Sequence, residues 1–345
     1  MDILAKIKGI KYSPLLCREL EVFHYKELRK AISSCGSFIL KINEENKIAI
    51  SWWVSAKRTR SYPYARVYDT LGFSGKKITI IPVVKDEGKE GDRDFLQWDT
   101  VSLMSLLGIY VIIAYYDEAE RSKRYRHKIT SQCFNIGYIQ EQIQNILSYQ
   151  SDALHWNLAH IDRVGQIGQK AIESYSKISK KLKVEMHSRQ TAEKRIVELL
   201  KGKNEFMKLS RELAEKAQKR ERLTIQPKEN LSGTKAIITI QNYLGGYYYF
   251  TSDEAEIKAN NIFLIEAKHS KAKQLPSLED IKDGLIKMIL FTNLEDVKIN
   301  GKNYNAKAAL KLTTKKFNAQ KLTLSQKKVI ARLQKEAITN NFKLI

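Results

Sequence analysis

The sequence predicts an α/β protein in three parts: an N-terminal α/β unit (1–130), a basic helical connector (131–222) and a C-terminal mixed sheet flanked by helices (223–345). Three observations predict it. In the first 130 residues, β-rich apolar runs alternate with helical spacing. The stretch from Ile136 to Arg222 has no proline and is rich in Glu, Lys, Gln, Ala and Leu, all good helix formers. Beyond Pro227, three short strand patterns run into a further helical pattern.

In the N-terminal unit, Phe38–Ile42 and Lys47–Val54 read as strands joined by a hairpin-like turn, Asn43 to Asn46. Ala65–Tyr68 and Lys77–Val84 are further strand candidates. Phe95–Leu107 carries helical spacing. Ile109–Tyr116 is a continuous apolar run, as expected of a strand buried on both faces. The acidic loop Asp86–Asp94, with Asp99 nearby, reads as solvated rather than as a second metal site, because no acid-x-lysine pair lies on the neighbouring strand.

In the connector, Ile196, Leu199, Leu200, Phe206, Leu209 and Leu213 recur near a helical period, with lysines and arginines on the other faces. Those cations are either a solvated surface or a face that follows a phosphate backbone. In the C-terminal part the strand candidates are Lys235–Gln241, Tyr247–Phe250 and Ile262–Lys268. A helix entered at Ser277 or Leu278 then places Ile281, Leu285, Met288, Ile289 and Thr292 on one face. Leu324–Asn340 predicts a second helix, with Ser325 as its cap.

Composition narrows the function. The chain has 345 residues and 43% hydrophobic residues, enough for sizeable cores. Its 60 lysines and arginines against 38 acids give a formal charge of +22. Such an imbalance points to a polyanionic partner. The longest apolar stretch, Val101–Tyr116, falls short of the roughly 18 to 20 residues a membrane span needs. The N-terminus is charged from Asp2 onward and lacks the apolar core of a secretory signal. A cytoplasmic protein without a membrane partner is expected. Cys17, Cys35 and Cys133 are widely spaced, which fits a reducing compartment and ordinary core thiols and gives no zinc spacing. His155 and His160 lie five apart and do not share a helix face. No phosphate-cradling glycine fingerprint is present, so no nucleotide cofactor is expected.

The chemistry concentrates at Ile262-Phe263-Leu264-Ile265-Glu266-Ala267-Lys268. Residues two apart on a strand share a face, so Glu266 and Lys268 meet on one side while Phe263 and Ile265 face the other. A carboxylate and an amine at the end of an apolar strand are costly to bury without purpose. A second acid is expected just upstream, from Asp253, Glu254 or Glu256. A two-residue turn at Ala259-Asn260 places Asp253 opposite Glu266. A three-residue loop favours Glu254 or Glu256 instead. Asp253 is preferred, with Glu256 in reserve.

The run Tyr247 to Glu256, followed by IFLIEAK and a helix, resembles the PD-(D/E)xK nuclease superfamily. The segment Leu278 to Phe291 looks like the helix that follows this motif in type II restriction endonucleases. The resemblance covers about Thr234 to Asn293, and no proline precedes Asp253. It implies a restriction-endonuclease-like core in which Asp253 and Glu266 hold Mg²⁺, with Glu256 as the alternative ligand. The Ala267 carbonyl would add a ligand, and Lys268 would assist the attacking water. Some members add a glutamate from a preceding helix, for which Glu212, Glu215, Glu221 and Glu229 are candidates.

The function expected is sequence-specific, Mg²⁺-dependent hydrolysis of double-stranded DNA. Lys57, Arg58, Arg60 and Arg66, interleaved with aromatics, are the candidate recognition loop. His269 and Lys271 are candidate phosphate contacts. A homodimer would match a palindromic site, and a cognate DNA methyltransferase is the partner expected in the same system. The alternatives are a repair or modification-dependent nuclease on the same core, or a non-catalytic DNA- or RNA-binding protein.

Overall fold

The computed structural model describes residues 1–56, 61–200, 234–242, 247–271, 273–315 and 318–345. The chain divides into two compact units. One comprises Met1–Glu19, Tyr64–Gly72 and Glu212–Ile345; the other comprises Leu20–Pro63 and Phe73–Arg211. These limits differ from the sequence-based 1–130, 131–222 and 223–345. The physical reason is strand pairing between distant segments. Asp2–Ile7 pairs in parallel with Thr234–Asn242, from Asp2 opposite Ile237 to Ile7 opposite Asn242. Both units are mixed α/β, and among the described residues no helix is long and apolar enough to cross a membrane.

The unit that carries Glu266 is built on a mixed sheet. Across it the strands run Lys302–Asn303, Glu295–Ile299, Asp2–Ile7, Thr234–Asn242, Tyr247–Lys258, Asn261–Ser270, Asn305–Thr314 and Lys343–Leu344. Thr234–Asn242, Tyr247–Lys258 and Asn261–Ser270 form an antiparallel meander. After the helix Leu278–Phe291 the chain adds Glu295–Ile299 and Lys302–Asn303 beyond Asp2–Ile7, and then Asn305–Thr314 lies parallel to the Glu266 strand. Ser277 caps that helix by accepting from the Asp280 amide, and Ile281, Leu285, Met288 and Ile289 are buried. Asn305–Thr314 (NAKAALKLTT) was not legible as a strand, since Ala, Lys and Leu favour helix. Pairing with Asn261–Ser270 along its whole length overrides that preference.

Two local expectations are corrected in this unit. Ala65–Tyr68 is not a strand but part of the helix Ser61–Thr70; Pro63 in its first turn is compatible with helix, because the missing N–H has no partner to lose there. The last helix, Leu324–Thr339, is capped by Thr323 in a capping box with Gln326, not by Ser325.

The other unit holds a five-stranded sheet in the order Val22–His24, Ser37–Lys41, Lys47–Trp52, Lys77–Pro82 and Tyr110–Ala114. Tyr110–Ala114 is buried along its length yet sits at the sheet edge. Its outer backbone groups are met by side chains of the helix Ala153–Ile161. Val111 N–H donates to Asn157 Oδ1 (2.7 Å), Trp156 Nε1 donates to the Val111 carbonyl (2.9 Å), and Ile113 N–H donates to His160 Nε2 (3.1 Å). Three side chains thus stand in for a missing strand and close an edge that would otherwise invite pairing. His155, by contrast, is exposed and paired with Asp152.

His160 is held neutral. Burial lowers its pKa to about 4, and the bond from the Ile113 N–H, which only an unprotonated Nε2 can accept, also requires the neutral ring. In the unfolded chain it protonates near 6.5, so the unfolded state binds the extra proton first. Stability from this group is therefore complete above about pH 6.5 and falls as pH drops toward 4, by at most about 3 kcal/mol. Urea midpoints from pH 7 to 4.5 should fall more steeply for wild type than for His160→Gln; identical slopes would refute the assignment.

The expected helical connector does not stand apart. The helices Ile136–Ser148, Ala153–Ile161, Val164–Leu182 and Arg189–Leu200 belong to the second unit, and Val164, Ile167, Ala171, Tyr175 and Ile178 are buried. Phe206, Leu209 and Leu213 lie outside the described residues. The loop after Lys77–Pro82 is also not simply solvated, because Asp86 is 6% exposed. Burial would raise the Glu87 carboxyl, but Lys85 and Lys128 more than offset it and hold its pKa at about 2. The thiols are not core residues throughout: Cys133 is exposed and Cys35 half-buried, while burial pushes the half-buried Cys17 up to about 12.

Candidate active site

Register decides which acids meet. In the hairpin, Lys258 opposes Asn261 and Glu254 opposes Ile265, with Ala259 at φ 52° in the turn. The turn is therefore two residues, Ala259-Asn260. The paired ladder ends at Glu254 opposite Ile265, and one residue further on each strand Asp253 and Glu266 face each other closely enough for their charges to interact. Ile262, Leu264 and Glu266 form the buried face of their strand. Glu254 and Glu256 fall on the opposite face from Asp253. Glu254 is buried against Lys311 (2.8 Å), and Glu256 is half-exposed beside Lys258 (3.1 Å). Glu256, the reserve ligand, is not brought to the cluster, because a two-residue turn fixes the parity of every side chain on the arm.

Glu266 is 2% exposed and engages two ammoniums. Lys268 Nζ lies 2.9 Å from Oε1 and Lys287 Nζ 2.7 Å from Oε2. Lys268 also pairs with Asp283, and Lys287 donates to the Thr251 carbonyl at 3.1 Å. Asp253 Oδ2 accepts from the Ala267 amide at 2.9 Å. Burial alone would raise the Glu266 carboxyl; Lys287 and Lys268 outweigh it and hold the group below its ordinary value. Asp253 goes the other way. Burial and the facing Glu266 charge push it up to about 7, against Lys287, the Ala267 amide and Lys268. With all groups ionised, three carboxylates face two ammoniums and leave one negative charge.

Mg²⁺ usually takes one or two protein carboxylates and completes its shell with water and phosphate. Among the described residues, no three His, Cys, Asp or Glu side chains form a metal cage. Two facing carboxylates with surplus negative charge, and an Asp253 Oδ1 that accepts no hydrogen bond from the described residues, fit that ion. Asp253 and Glu266 would hold it, and the Ala267 carbonyl is adjacent.

Asp283 and Lys287 were not singled out from sequence. The available signal was their i, i+4 spacing on the helix that follows the motif, which sets an acid and an amine on one stripe. Gly284 lies between them for a steric reason. A Cβ there would stand 2.7 Å from Leu310 Cδ1 and 3.3 Å from Lys268 Cε. Gly284→Ala gains about 1 kcal/mol of helix propensity, but Leu310 is fully buried and cannot yield freely. We expect a net loss of about 1 to 2 kcal/mol in urea unfolding, and a stabilised variant would overturn that packing argument.

No protein-family model matches this chain, and no curated protein and no solved structure matches it.

The remaining candidates are scattered. His269 projects to the face opposite Lys268, where Nδ1 lies 2.9 Å from Thr313 Oγ1. Lys271 is exposed just beyond the strand. Arg66 is half-buried on the helix Ser61–Thr70 rather than on a loop. Lys57, Arg58 and Arg60 lie outside the described residues, as do Glu212, Glu215, Glu221 and Glu229.

Proposed function

We propose that the chain is a Mg²⁺-dependent endonuclease of double-stranded DNA, of the type II restriction class, with Asp253, Glu266 and Lys268 as its catalytic set. The observation that supports this reading is the facing of Asp253 and Glu266 at the end of the hairpin, with Lys268 Nζ 2.9 Å from Glu266 Oε1. The meander, the crossover helix and the parallel fourth strand support a restriction-endonuclease-like core.

In this reading Asp253, Glu266 and the Ala267 carbonyl hold the ion. When bound, it would polarise a phosphoryl oxygen and lower the pKa of a water. Lys268, anchored between Glu266 and Asp283, orients that water and offsets charge that develops on the phosphate. Lys287 keeps Glu266 ionised. The net charge of +22 supplies attraction to the DNA backbone, and Lys271, Arg66, Lys57, Arg58 and Arg60 are its proposed contacts. His269 drops out, because Nδ1 is on Thr313 and Nε2 is buried. A homodimer and a cognate methyltransferase belong to the same proposal.

The test is cleavage of mixed-sequence DNA with and without Mg²⁺. Discrete fragments support restriction. Cutting confined to methylated or branched DNA moves the protein to the repair or modification-dependent class. Binding without cutting in Mg²⁺ sinks the catalytic reading.

A further inference from the structure

The unit formed by Leu20–Pro63 and Phe73–Arg211 contains a pocket of about 370 Å³. It lies between the Val84–Asp86 and Arg93–Phe95 strands, the helix Val164–Leu182 and the start of the helix Arg189–Leu200. Val84, Phe95, Ile172, Met186 and Ala192 give it an apolar lining. Its volume sits at the lower end of the roughly 300 to 1,000 Å³ of small-molecule sites, on the scale of one nucleotide rather than two.

One carboxylate in this pocket is fixed on every side. The Asp86 amide donates to Tyr175 OH (3.0 Å), and the Asp86 carbonyl accepts from Gln132 Nε2 (2.9 Å). Asp86 Oδ1 accepts from the Gly88 amide (2.8 Å) and lies 2.7 Å from His187 Nδ1. Oδ2 accepts no hydrogen bond from the described residues; its nearest cation is Arg93, at 3.9 Å. Asp86 is 6% exposed, and it lines the pocket. An anchored carboxylate with one open acceptor suits a ligand N–H donor. Around it the charge is reversed: Arg93, Lys180 and Arg189 also line the pocket. Lys180 and Arg189 are exposed at the rim, and Arg189 is held by Glu193 at 2.6 Å. Lys180 is therefore the cation most available to an anion.

We infer that this pocket binds a nucleotide whose base carries an amino group, with the base between Phe95 and the apolar wall, its N–H donors on Asp86 Oδ2, and its phosphate toward Lys180. An apolar slot, one open acceptor inside and cations at the mouth match that chemistry in order. The nucleotide has two sources, a free monophosphate or a residue extruded from DNA. The inference does not depend on the reading of Glu266.

The test uses the full chain. Calorimetric titration with AMP, CMP, GMP and TMP should show the three amino-bearing bases binding at least about tenfold tighter than TMP, the value of a charge-assisted hydrogen bond. The one base N–H of TMP lies between two carbonyl oxygens that a carboxylate repels. Asp86→Asn should erase that preference. Lys180→Glu, at an exposed site that should not disturb folding, should weaken all nucleotides by a similar factor, and Phe95→Ala should do the same. In a second arm, duplex DNA carrying 2-aminopurine should brighten on binding if the source is an extruded residue, and Lys180→Glu should reduce the signal. Saturable monophosphate binding without brightening assigns the free nucleotide. Absence of both, binding indifferent to Lys180→Glu and Phe95→Ala, or TMP bound as tightly as the others, overturns the inference.

Discussion

Lys268→Ala should cut Mg²⁺-dependent DNA cleavage by about 10²- to 10³-fold, the loss typical when one preorganised charge-stabilising group is removed. DNA binding should change little, because one ammonium among 60 lysines and arginines contributes little to the electrostatic attraction. The position of Lys268 sharpens the expectation. Its ammonium is shared between Glu266 and Asp283, so deletion leaves two carboxylates short of a partner as well as removing the proposed catalytic amine. Lys287 still reaches Glu266 Oε2, which keeps that carboxylate ionised and makes a folded single variant the expected result. Lys287→Met should then cost less in cleavage than Lys268→Ala, since Lys287 acts through Glu266. Equal cleavage by wild type and Lys268→Ala in a rate assay, or a Lys268→Ala protein that has lost DNA binding along with cutting, would sink the role assigned to it.

The second large effect concerns stability of the same unit. Glu336 is fully buried on the last helix and accepts four hydrogen bonds. Tyr12 OH donates to Oε1 at 2.8 Å and Tyr68 OH at 2.5 Å, while the Leu15 and Leu16 amides donate to Oε2, each at 2.9 Å. Burial raises its carboxyl, and the four donors hold it down without fully cancelling that rise. Around the clamp, Lys282 on the motif helix pairs with Asp69 at 2.5 Å, where Arg18 Nε also approaches to 3.4 Å. Glu336→Ala removes the acceptor of two hydroxyls and two amides; Tyr12 and Leu15 are half-buried, and the Leu16 amide keeps Tyr68 OH at 3.2 Å. Each orphaned group costs about 1 to 3 kcal/mol, relieved in part by rearrangement, so the net loss should be on the order of 4 kcal/mol. Glu336→Gln, which keeps the shape and one acceptor, should lose roughly half of that. The check is chemical denaturation with a probe in this unit; an Ala variant within 1 kcal/mol of wild type, a margin about that of an ordinary surface change, would show the clamp to be dispensable.

Much of the candidate site was legible because strand geometry is local. Alternation puts Glu266 and Lys268 on one face in any strand, and turn length alone chooses Asp253 over Glu254 and Glu256. The helix after the motif was equally legible, since Ser277 and the Ile281, Leu285, Met288 and Ile289 stripe declare its start and its buried face. Other elements were not. Ala65–Tyr68 has the look of a strand in isolation, and Asn305–Thr314 has the residues of a helix; each takes its state from what it packs on.

The sequence by itself determined the acid-x-lysine strand and the cationic charge, because these depend on period and composition; it left the partner acid to the length of one turn. Only the tertiary structure decided that Asp2–Ile7 joins the Glu266 sheet, that Asp283 and Lys287 complete the charge cluster, and that Asp86 is anchored at a pocket. Those facts rest on contacts between residues tens to hundreds of positions apart, which are fixed by burial and by the need to pair buried polar groups rather than by any local pattern.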